Sequence, residues 1–130
     1  MRPSVIGALL ALHLLAPGAR AAEPELQGLV TNSTVSRTGQ AFYRSFCERL
    51  GDIGPLDFNL AVKERPSAHW GILLWVEFGN AMLYRRFLQP NVADMREIAH
   101  AAADQVVEQV NRARVQALFQ DTFDLAKDEL

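Results

Sequence analysis

The chain has 130 residues, 13 basic and 15 acidic side chains, a formal charge of −2 and a single cysteine. That balance argues against nucleic acid as a partner, which favours a basic stripe. One cysteine excludes an intrachain disulfide.

Arg2, the apolar run Val5–Leu15, the breaker Pro17-Gly18 and the small residues Ala19 and Ala21 form the pattern of a cleavable signal peptide over residues 1–21. The apolar run is about half of the ~20 residues that a spanning helix needs, and no later stretch is longer. The expectation is an exported, periplasmic or lumenal protein with no membrane insertion. Without residues 1–21, 109 residues remain, with 11 basic against 15 acidic side chains and a charge of −4. That length suits one domain with one modest core.

Residues 22–33 are polar, contain Pro24 and Gly28 and lack periodicity, which predicts a flexible N-terminal arm. The rest, 34–130, reads as a single domain with a C-terminal tail. Thr34 or Ser36 can cap a helix running to about Leu50, with Gly39, Phe42, Tyr43, Phe46, Cys47 and Leu50 on its buried side. Cys47 therefore reads as a packed helical thiol. The stretch "GDIGP" (51–55) ends the helix.

The period then changes to two. In "LDFNLAVK" (56–63) apolar residues alternate with Asp57, Asn59, Ala61 and Lys63, as in a strand with one dry face. After the connector "ERPSAHWG" comes "ILLWVEF" (72–78), apolar on both faces. Gly79-Asn80 is a hairpin dipeptide and "AMLYRRFL" (81–88) the returning strand. Asn91 or Asp94 then opens a long helix with Met95, Ile98, Ala99, Ala102, Val106 and Val110 in one stripe, ending near Ala117 or beyond. The predicted fold class is α+β: a three-stranded antiparallel β-meander with an N-terminal and a C-terminal helix, α-β-β-β-α. Both helices can cover only one sheet face. Leu73 and Trp75, with Phe87 or Tyr84, are left for another molecule.

No pattern points to catalysis. Ser67 and His69 are two apart on an irregular loop, which does not define a nucleophile and its base. His100 and Asp104 stand at helical i,i+4 spacing without a third metal ligand. No phosphate cradle or other cofactor motif is visible. The connector is more informative, because Arg65, His69 and Trp70 can form an exposed edge contact for a partner, Trp and Arg being enriched in binding hot spots.

The C-terminal Lys127-Asp128-Glu129-Leu130 spells an endoplasmic-reticulum retention signal, and Asn32-Ser33-Thr34 fits an N-glycosylation acceptor. Together they support one alternative, a small lumenal interaction protein of the secretory pathway.

A wider set of residues points elsewhere. "GLVT" with Thr34-Val35-Ser36, Gly39, "FYR" (42–44) with Phe46, "ERPSA" followed by Trp70-Gly71, "FL" with Pro90, Asn111-Arg112, and "DLA" with Asp128-Glu129 resemble the CsgE family of curli assembly factors of Gram-negative bacteria. The resemblance spans nearly the whole chain after residue 21. His69, Leu50 and Cys47 depart from the usual family residues. The resemblance implies a periplasmic adaptor that is not an enzyme. Such an adaptor holds unfolded CsgA-type curlin subunits, prevents premature polymerisation, and caps the CsgG-type outer-membrane channel as a ring-shaped homo-oligomer. On this view the terminal tetrapeptide is a coincidence, and Asp124, Asp128 and Glu129 form a candidate docking segment beside Arg65, His69, Trp70 and Trp75.

Overall fold

The structure is a computed structural model and describes residues 27–128. The expected signal peptide, the start of the arm, Glu129 and Leu130 lie outside the described residues. The order is β1 (Val30–Ser33), α1 (Arg37–Ile53), β2 (Leu60–Ser67), β3 (Gly71–Phe78), β4 (Ala81–Leu88) and α2 (Met95–Asp128).

The fold is α+β, but the sheet has four strands and is not a pure meander. β2, β3 and β4 pair antiparallel as expected, while β1 adds to the outside of β2 in parallel, giving the order β1-β2-β3-β4. A parallel neighbour needs a crossover connection, and α1 supplies it. The fourth strand comes from the stretch that reads as a flexible arm, because four residues are too short to display a period. Backbone contacts fasten it: the Gly28 N–H donates to the Leu56 carbonyl at 2.6 Å and the Leu60 N–H to the Leu29 carbonyl at 2.9 Å. The approach is so close that a Cβ on Gly28 would stand 2.0 Å from the Phe58 carbonyl oxygen. The Tyr43 hydroxyl adds a bond to the Val30 carbonyl at 2.9 Å.

β2 begins and ends four residues later than the alternation predicts, because "ERPS" continues the strand. Pro66 is tolerated there: β1 reaches only to the pair Ser33↔Lys63, and beyond it β2 is an edge. Ser36 caps α1, its side chain accepting from the Gly39 N–H, and Gly54 closes it. α2 runs past Ala117 to Asp128.

Both helices pack on one face of the sheet. Phe42, Phe46 and Leu50 of α1 meet Leu60, Val62, Leu74, Val76 and Leu88 of the sheet, and Ala99, Ala102, Ala103, Val106 and Val110 of α2 close the core. The alanines let the two helices approach closely. Ion pairs Arg49–Asp104 (2.8 Å) and Arg96–Glu48 (2.7 Å) join the helices at their outer side. At the other end Arg114 spans Asp57, both carboxylate distances being 3.0 Å, and lies over the Phe58 ring at 5.1 Å. After Arg114 every described residue of α2 is exposed.

Candidate functional site

Register fixes which side chains the helices leave bare. Val62, Leu74, Val76 and Leu88 point to the helices and are buried, so their neighbours along each strand point away. Two cross-strand rows result, Arg65–Leu73–Phe87 and Lys63–Trp75–Arg85. The helix-free face thus carries an apolar centre of Leu73, Trp75 and Phe87 inside a frame of Lys63, Arg65 and Arg85. Phe87 is 51% exposed.

Trp75 is held in place and not merely presented. Its indole N–H donates to Glu77 Oε1 at 2.9 Å, and Lys63 Nζ meets Glu77 Oε2 at 2.9 Å. The Trp75 indole and the Lys63 ammonium hold the Glu77 carboxyl below its usual range. Tyr84 does not join this face. It lies opposite Val76 on the helix side and stacks on Phe42 with ring centroids 6.0 Å apart, and burial pushes its hydroxyl up despite Arg86. The sequence misses this because a β-bulge between Val76 and Glu77 shifts the β4 register, Leu83 being the extra residue.

The connector is a tight turn. His69 and Trp70 are exposed, Trp70 by 62%. The Ser67 hydroxyl accepts from the Trp70 N–H at 3.3 Å, so it staples the turn. Arg65 and Trp75 therefore share one sheet face, His69 and Trp70 stand at its end, and Asp124 and Asp128 lie apart on the free half of α2. Of the former metal candidates, Asp104 is engaged by Arg49. β4 is the second open feature. It is the outer strand of the sheet, eight residues long, with one edge free of any strand among the described residues. Gln105 of α2 and the segment Met82–Arg86 flank a shallow groove there.

The chain matches the family model described as curli assembly protein CsgE over residues 26–129. It is 35% identical over 107 residues to the curli production assembly/transport component CsgE of Salmonella typhi, covering 82% of this chain and 80% of that protein. To the protein of the same name from Escherichia coli O6:H1 it is 35% identical over 111 residues, 84% of this chain and 83% of that protein.

Proposed function

The chain belongs to the CsgE family of curli assembly proteins, and from that premise we propose that it acts in the periplasm as an adaptor for unfolded curlin. It binds CsgA-type subunits, delays their polymerisation, and as a homo-oligomer caps the CsgG-type secretion channel. The observation that carries this reading is the free edge of β4. An edge strand offers unpaired N–H and C=O groups to an extended chain, and a client with high β-propensity can pair there and leave its own fibril-forming pairing unmade. Arg85 and Arg86 on this strand keep the edge from pairing freely with other sheets.

Confinement supplies direction. An unfolded subunit held under a closed cap loses conformational freedom and regains it on passing through the pore, so exit is favoured by entropy. The test combines two assays on the chain from residue 22 onward. Thioflavin fluorescence follows curlin polymerisation, and co-purification follows binding to the channel. A lengthened lag together with channel capture is expected; a protein that neither delays fibrils nor binds the channel would overturn the reading.

A further inference from the structure

Among the described residues two surfaces lack cover, and they fit each other. The first is the helix-free sheet face with Leu73, Trp75 and Phe87 framed by Lys63, Arg65 and Arg85. The second is the free half of α2, where Val115, Leu118, Phe119, Phe123 and Leu125 are between 51% and 74% exposed. At 100° per residue these five fall within one side of the helix, with Thr122 and Ala126 between them. Asp121 and Asp128, seven residues apart, follow the Leu118/Leu125 flank of that stripe. Asp124 is on the opposite side.

We propose that the free half of α2 of one copy docks on the helix-free sheet face of the next copy. The stripe covers Leu73, Trp75 and Phe87, and Asp121 and Asp128 meet the basic frame that includes Arg65. Dimensions agree: 14 residues of helix from Val115 to Asp128 extend about 21 Å at about 1.5 Å per residue, and an eight-residue strand about 26 Å. The contact must be between copies, since α2 is one uninterrupted helix whose first half packs on the inner face of its own sheet.

Charge selects this occupant over a second α2. Pairing two stripes side by side brings the acidic flanks of both helices toward the seam with one lysine per helix, Lys127 beside Phe123, to meet two aspartates. Among the described residues the sheet face carries three basic groups, of which only Lys63 is engaged by an acid, Glu77. The contact is head-to-tail, so it leaves a docking face and a free helix on the outer members unless rotation closes a ring. Asp124, away from the stripe, remains available to a further partner.

This contact rests on the self-association included in the function proposed above, and the test separates the two. Sedimentation velocity and native mass spectrometry on the chain from residue 22 onward read the assembly state of wild type, Arg65→Glu, Asp121→Arg and the double variant. The wild type is expected to form an assembly of several copies. Each single reversal should raise the concentration needed for assembly by about tenfold or more, and the double variant, or an equimolar mixture of the two singles, should recover it. Arg85→Glu serves as a second face variant if Arg65→Glu does not fold by circular dichroism. Assembly indifferent to either reversal, or no recovery in the double variant, overturns the contact while self-association stands. Stronger assembly of Asp121→Arg alone identifies an α2–α2 pairing and also overturns it. A wild type that stays monomeric overturns self-association and the contact with it.

Discussion

Glu64 of β2 grips Ser36 at the N-terminus of α1 with both carboxylate oxygens: Oε1 accepts from the Ser36 N–H at 2.6 Å and Oε2 from its hydroxyl at 2.5 Å. Oε1 also takes the Val35 N–H. Gly39 makes room for this, because a Cβ there would lie 2.6 Å from Oε2. One carboxylate thus joins the start of α1, the end of β1 and the middle of β2. Its charge also lies where a helix N-terminus favours an anion.

Burial disfavours the charged form of Glu64, but the Ser36 hydroxyl and the Ser36 and Val35 amides outweigh it and hold the carboxyl below its usual range. A carboxyl with a depressed folded pKa contributes stability that is complete above the unfolded value, about 4.3, and is lost as pH falls through the folded value. Glu64→Gln should therefore cost about 1–2 kcal/mol at pH 7, and the gap to wild type should close as pH falls through the depressed folded value. Urea titrations at several pH values measure it. A gap that does not change with pH would remove the charged cap from the account.

Arg114 marks where α2 leaves the domain. Its guanidinium binds the Asp57 carboxylate and carbonyl, the latter at 3.2 Å, and covers Phe58. The pair is partly exposed, so Arg114→Ala is expected to cost about 1 kcal/mol, equivalent to about 4–8 °C in Tm for a domain of this size. Differential scanning calorimetry gives the answer, and an unchanged Tm would show that the core stripe of α2 alone fixes the helix.

The parts of the fold legible in the sequence are those with a sustained period. Seventeen residues of α1 repeat often enough to reveal their buried side, the apolar run of β3 reveals a strand, and Gly79-Asn80 announces the hairpin. β1 is illegible for the opposite reason: Val30–Ser33 depends on partners thirty residues away, Leu60 and Val62 among them. The bare sheet face follows from counting helices against faces, so the place of Trp75 on it is readable. The choice of Phe87 over Tyr84 beside it is not, because it turns on the bulge that points Tyr84 inward. Nor is the role of Asn32, whose Oδ1 accepts from the Thr34 N–H at 2.9 Å and its hydroxyl at 2.5 Å, a local turn that the glycosylation pattern conceals.

Cys47 shows how packing decides chemistry. The thiol is half-buried against the core, and burial pushes its pKa up, opposed only in part by the neighbouring Tyr43 hydroxyl. The same burial and the neighbouring Cys47 push the Tyr43 hydroxyl up to about 12. The thiolate is the reactive form, so alkylation by iodoacetamide at pH 8 should be slower in the folded protein than in urea. Mass spectrometry over time follows the reaction. Equal rates in both states would mean that the site is open.

Trp70 and Trp75 separate binding from folding. Trp70 is 62% exposed and its backbone N–H already serves the turn, so Trp70→Ala removes an indole without opening a cavity. Stability should stay within about 0.5 kcal/mol of wild type, whereas self-association or the curlin lag should weaken, since exposed tryptophan at a contact is a frequent hot spot. Trp75 is half-buried and its indole anchors Glu77, so Trp75→Ala should lower stability as well, and Trp75→Phe should restore most of the packing without the hydrogen bond. Melting curves read beside sedimentation and thioflavin traces distinguish the two positions. If Trp70→Ala lowers the melting point as much as Trp75→Ala does, the turn indole belongs to the fold and the binding role assigned to it fails.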